Sequence, residues 1–202
     1  MEALIGIDPR WLELRQAPAD SGEYRQLSLF QLLVKEYFAF LQTQLGASGQ
    51  KFIDLVPANI IYSSDGSYQA IDQEWVTCLP EFGPEEALFR GLFYFLMQNA
   101  AALDIPEPMK LYSKTYRELI ERVLLTTVEI DISGLEQRVV QFEKKFQNHV
   151  SAIVDGVDFQ ALIRSRINDT EQLDLGICCD FSSTDSMSFG KSQQIPSQNN
   201  WT

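Results

Sequence analysis

The chain has 202 residues, 45% hydrophobic and 22% charged, enough for one domain with a real core and no need of disulfides or a structural metal. Sixteen basic against twenty-eight acidic residues leave a formal charge of -12, which repels phosphate backbones and anionic lipid heads and sets nucleic-acid and membrane partners aside. Cys78, Cys178 and Cys179 lack ligand-like spacing, and His149 is the only histidine, which argues against a Cys/His zinc site and against any triad built on a histidine base.

Apolar runs such as Leu92 to Met97 are too short to span a bilayer. The opening Met1-Glu2-Ala3-Leu4 has neither the basic region nor the apolar core of a leader, so a cytoplasmic protein with reduced thiols is expected. Residues 1–26 read as an N-terminal extension, broken by Pro9, Pro18 and Gly22. From Leu27 to Leu45, Phe30, Leu33, Val34, Tyr37, Phe38, Leu41 and Leu45 recur at helical spacing, with Ser28 as the expected cap and Gly46 as the stop. Ile60-Ile61-Tyr62 and Ser67 to Ile71 flank an Asp65-Gly66 turn and predict a β-hairpin.

Pro84 fits the first position of a further helix running to about Ala102, with Glu85 and Glu86 where its dipole favours them. A Pro106-Glu107-Pro108 break separates it from a helix over about 114–128. A last long helix is expected from a capping box at Ser133–Glu136. Its apolar set, Leu135, Val139, Phe142, Phe146, Val150 and Ile153, fits a coiled-coil seam or a helix lying on a globular core, and the core reading is preferred. His149 falls at the edge of that stripe as a half-buried bystander. Residues 168–202, rich in Ser, Gln, Asn and Asp and without periodicity, read as a flexible tail. The 27–167 segment is thus an α+β domain, mainly helical, with one small hairpin.

The chemistry is concentrated between Asp54 and Trp75. Asn59 follows Asp54 by five residues and Asp72 follows Asn59 by thirteen, with the hairpin between them. A hairpin returns the chain to its own start, so Asn59 and Asp72 are expected to face one point. An amide oxygen and a carboxylate converging there are hard donors of the kind Mg²⁺ takes. Asp54 beside them is the candidate general base for an attacking hydroxyl.

Asp54-Leu55-Val56-Pro57-Ala58-Asn59 resembles the Asp-x-x-x-x-Asn catalytic loop of protein-kinase-like phosphotransferases, and Ile71-Asp72 the hydrophobic-Asp that follows it. Asp72-Gln73-Glu74 looks like the Asp-x-Glu of the aminoglycoside and choline kinase branch. A closer resemblance is to a kinase-like segment of bacterial proteins carrying methyltransferase or glycosyltransferase domains of surface-polysaccharide synthesis. There a run like Asp-x-x-Pro-x-Asn-Ile-Ile leads through an Asp-Gly turn to Ile-Asp-Gln-Glu-Trp, and a helix like Phe89-Arg90-Gly91-Leu92 follows. The resemblance covers roughly residues 27–100 and implies a kinase-like C-terminal lobe. It implies Asp54 as base, Asn59 and Asp72 as Mg²⁺ ligands, ATP as the nucleotide, and Pro57, Glu74 and Trp75 as supports.

The sequence also departs from that pattern. Phe52 and Ile53 stand where such a loop offers His and Arg or another polar residue. Ahead of Asp54 there is no glycine-rich phosphate loop, and the only lysines, Lys35 and Lys51, do not sit in a strand of the Val-Ala-Ile-Lys type. The nucleotide-covering lobe is therefore expected to be absent. Three functions follow: a degenerate module, silent alone, that belongs with another domain or chain of a polysaccharide-modifying transferase; a Mg²⁺-dependent phosphotransferase for a sugar or small hydroxylated substrate, completed by another chain; or a helical adaptor whose long C-terminal helix pairs with a partner.

Overall fold

The computed structural model describes residues 10–11, 23–46, 51–63, 65–71, 73, 75–77, 79–99, 114–150, 158–167 and 200–201, the side chains of 23–27, 149–150 and 200–201 aside. It is α+β and mostly helical. The elements are α1 (Glu23–Gly46), β1 (Lys51–Phe52), a 3-10 turn (Pro57–Asn59), β2 (Ile60–Tyr62), β3 (Tyr68–Ala70), β4 (Val76–Thr77), α2 (Pro84–Asn99), α3 (Tyr116–Val128), α4 (Leu135–Val150), α5 (Phe159–Ile163) and β5 (Asn200–Trp201).

The helical stripe expected from Leu27 is α1, with Leu33, Val34, Tyr37, Leu41 and Leu45 buried. The helix starts four residues sooner than the stripe, at Glu23, so Ser28 is an interior residue and not a cap. Nothing from Glu23 to Leu27 breaks a helix, and an interior serine costs only about 0.5 kcal/mol relative to alanine. α2 lies at the centre and packs on α1, α3 and α4. That position explains why it is apolar almost all round, with Leu88, Phe89, Leu92 and Phe93 fully buried.

α3 begins with a true capping box: Thr115 accepts from the Glu118 amide, and the Glu118 carboxylate returns to the Thr115 amide. The box expected at Ser133–Glu136 does not form. Ser133 turns its amide and hydroxyl onto Asp131 Oδ1 (2.9 and 2.8 Å), and the Glu136 carboxylate takes Arg117 and Arg164 instead. Gly134, at φ +78°, makes the bend into α4 that a side chain would resist. The α4 stripe Leu135, Val139, Phe142 and Phe146 is buried inside the fold, as the core reading expects. Phe142 stacks on Phe82 with ring centroids 4.2 Å apart. Ile153 and the side chains of His149 and Val150 lie outside the described residues, as do Cys78, Cys178, Cys179 and the Pro106–Pro108 break.

β2 and β3 form the expected antiparallel hairpin, registered Ile60↔Ala70, Ile61↔Gln69 and Tyr62↔Tyr68. Gly66 at its tip has φ +85°, the left-handed conformation such a turn demands. Asp65 Oδ1 accepts from the Ser67 amide and hydroxyl, which holds the Asp65 carboxyl below its usual range. β1 pairs antiparallel with β4, and β5 adds a parallel strand on the other side of β4. Asn200 and Trp201 are the only described residues of the stretch read as a tail. No helix among the described residues is long and apolar enough to cross a membrane.

Candidate functional site

The β1–β4 ladder gathers the segment from Asp54 to Trp75 at its base. Phe52 pairs with Val76, and one residue further on the Ile53 amide donates to Trp75 O at 3.0 Å. Everything between Ile53 and Trp75 is therefore an excursion whose two ends are tied together. Pro57 is buried and opens the 3-10 turn, with the Asn59 amide donating to Val56 O (2.8 Å) and the Ile60 amide to Pro57 O. A proline suits that first position because it has no amide to leave unpaired.

The turn brings Asn59 back onto Asp54. Asn59 Nδ2 donates to Asp54 Oδ2 at 2.9 Å and to Asp54 O at 3.1 Å. The other carboxylate oxygen, Oδ1, accepts from Arg90 Nη1 at 3.2 Å, and the same nitrogen donates to Ile53 O at 3.1 Å. The Asp54 side chain is 29% exposed, whereas that of Arg90 is 5% exposed. One guanidinium thus holds both the backbone and the carboxylate at the start of the loop, from beneath.

Arg90 is itself held by α4. Its Nε donates to Glu143 Oε1, a carboxylate with no exposure at all, and its guanidinium lies over the rings of Tyr94 (4.9 Å) and Phe146 (5.5 Å). Burial works against the Arg90 charge, but Glu143, with Tyr94 and Asp54 also facing it, more than offsets this and its pKa moves up. Burial raises the Tyr94 phenol, and Glu143 beside it adds to the effect, so Tyr94 stays a donor to Glu143 Oε2 (3.4 Å). A buried cation is tolerable only when paired and hydrogen-bonded on several sides, as here.

The next residue of the loop is held from α1. Tyr37 donates its hydroxyl to Leu55 O at 2.6 Å, and burial raises its pKa, so it too stays protonated. It reaches Leu55 by passing over Gly91, where any Cβ would overlap the phenol. Lys51, at the foot of the loop, donates Nζ to Pro80 O (3.2 Å) and Phe82 O (2.5 Å). That ammonium is spent on tying the 79–82 loop, a structural use. Lys35 is exposed on α1.

Of the residues expected to form a site, Asp54 and Asn59 come together directly, Pro57 shapes the turn between them, and Trp75 closes the base. The Trp75 ring packs edge-on against Phe146 of α4 at 5.8 Å, so it braces the excursion against the last long helix. Asp72 and Glu74 lie outside the described residues. The Ile71 amide donates to Asn59 O at 2.8 Å, which continues the hairpin ladder to Asn59. Of the two residues expected to hold Mg²⁺, Asn59 is the one the structure describes, and its Nδ2 is used on Asp54. Among the described residues, no three His, Cys, Asp or Glu side chains group as a metal site.

Sequence reasoning did not single out Arg90, Glu143 or Tyr37 as parts of this site. A signal existed for two of them. Glu143 is four residues from Val139, on the buried face of α4, and Arg90 sits inside the apolar run of α2. Opposite charges in two buried stripes call for each other. Comparison with known proteins found no matching family model, no matching curated protein and no matching solved structure.

Proposed function

We propose that the chain is a degenerate kinase-like module, catalytically silent by itself, that works in the cytoplasm with another domain or chain of a bacterial polysaccharide-modifying transferase. The kinship rests on the residue pattern Asp54–Asn59, Ile71–Trp75 and Phe89–Leu92. One observation supports the silent reading: both oxygens of the Asp54 carboxylate are already engaged, by Arg90 and by Asn59. Each carboxylate oxygen keeps a second lone pair, but a general base needs one aimed at the substrate hydroxyl at hydrogen-bond range. A carboxylate held by a buried cation on one side and an amide on the other is suited to fixing its own loop.

The test is a thermal shift of the full chain with ATP and Mg²⁺. The melting temperature is expected to stay put. A rise of several degrees that Asp72→Asn abolishes would overturn the reading. That outcome would favour the phosphotransferase, in which Asn59 Oδ1 and Asp72 hold Mg²⁺ beside Asp54. The register that sets Ile71 against Asn59 favours this second reading. Asp54→Ala would then remove phosphate transfer while leaving nucleotide binding largely intact.

A further inference from the structure

Arg10 and Trp11 fall in the stretch that reads as an extension, yet both reach into the body of the fold. Trp11 is 3% exposed and packs its ring edge-on against Phe95 of α2 (centroids 4.6 Å), Phe30 (6.1 Å) and Tyr37 (6.4 Å) of α1. Tyr37 is the residue whose hydroxyl holds Leu55. Arg10 turns the other way, toward the hairpin. Its Nη2 donates to Glu36 Oε2 at 2.7 Å and to the Tyr68 hydroxyl at 2.8 Å, and its guanidinium lies 4.3 Å from the centroid of the Tyr62 ring. The Tyr68 hydroxyl in turn donates to Glu36 Oε2 at 2.9 Å, closing a three-membered ring of charge-assisted bonds.

Tyr62 and Tyr68 are register partners across the hairpin, and their rings meet at 5.1 Å. Two adjacent residues therefore touch both halves of the candidate site: Arg10 the hairpin that leads to Asp72, Trp11 the tyrosine that fixes the Asp54 loop. The hairpin also leans on α1 through the Tyr68 ring against Phe40 (5.8 Å) and buries Ile60 in the core. Its strands are three residues each, and a two-stranded ribbon of that size is marginal by itself. We infer that Arg10 and Trp11 form a clasp that sets the hairpin and the Asp54–Asn59 loop in fixed relation, so that drawing these two residues away releases the site without unfolding the helices. The clasp acts on position alone, and it stands whether or not the site takes a nucleotide.

Amide exchange of the full chain, read segment by segment, tests this. Arg10→Gln and Tyr68→Phe should each speed exchange at 60–62 and 68–70 by about tenfold, leaving α3 and α4 unchanged. The two changes together should do little more than either alone, because they break one network. Trp11→Leu, which keeps apolar bulk, should instead speed exchange at 53–59. Two results would overturn the clasp: unchanged hairpin exchange in Arg10→Gln and Tyr68→Phe, or exchange that rises equally through α3 and α4, which marks ordinary loss of global stability.

Discussion

Tyr37 and Gly91 are matched across the α1–α2 contact: the phenol lies where a side chain at position 91 would be, and its hydroxyl goes on to hold Leu55 O at 2.6 Å. A Cβ on residue 91 would overlap the hydroxyl oxygen and come within 2.9 Å of Cζ. The glycine is therefore required by a neighbour and by no turn, and the loop it serves is far away in sequence.

Gly91→Ala is expected to destabilise the fold by about 1–3 kcal/mol, the usual cost of overpacking a core. Tyr37→Phe removes the oxygen that collides, so the double variant should lose less than the two single losses added together. Urea melts of the three variants measure the coupling.

Arg90→Met should cost about 3–5 kcal/mol, because it strands the Glu143 carboxylate without its cation in a fully buried place. Replacing both partners, Arg90→Met with Glu143→Leu, should recover much of the loss, since the carboxylate then left without its cation, Asp54, is 29% exposed and reaches water. A double variant no more stable than Arg90→Met would show that the bonds to Ile53 and Asp54 matter more than the ion pair.

Asp54→Ala separates a structural aspartate from a chemical one. It deletes one of the two acceptors of each of Arg90 Nη1 and Asn59 Nδ2, leaving the backbone oxygens of Ile53 and Asp54, and should lower stability by about 1–3 kcal/mol. Exchange should rise first at residues 54–59. A base poised for catalysis and under no structural demand would leave the melting curve where it was.

Acid should weaken the α3–α4–α5 corner. Glu136 accepts from Arg117 Nε at 2.6 Å and from Arg164 Nη2 at 2.8 Å, and although burial works the other way these partners hold its carboxyl below the usual range. Glu118, capped by the Lys114 and Thr115 amides, and Asp131, capped by Ser133, are lowered in the same sense. A depressed folded pKa stabilises above the unfolded value, about 4.3 for glutamate, and the gain disappears as pH falls through the folded value. Glu136→Gln should therefore cost about 1 kcal/mol at pH 7 and progressively less as pH falls below about 4.3, as melting temperatures against pH would show.

Local patterns were legible wherever one rule acted alone. The apolar stripe gave α1, the Asp65-Gly66 pair gave the hairpin with its positive-φ glycine, and Pro84 marked the start of α2. The misplaced cap at Ser28 and the misplaced capping box at Ser133 share a cause. Both serines have the right chemistry, but Ser28 follows residues that already favour helix, and Glu136 is drawn off by Arg117 and Arg164. Thr115 and Glu118 carry the same pattern with no such competitor.

The sequence by itself determined α1 to α4 and the hairpin, and set Asp54 and Asn59 as a pair in one short loop, because each depends on residues within a few positions of one another. Only the tertiary structure decided what that pair does. Arg90 stands thirty-six residues beyond Asp54 and Glu143 fifty-three beyond Arg90, separations at which no local propensity acts. They meet because α2 and α4 bury their apolar faces against each other, and a charge carried into that interface must find its counter-charge there.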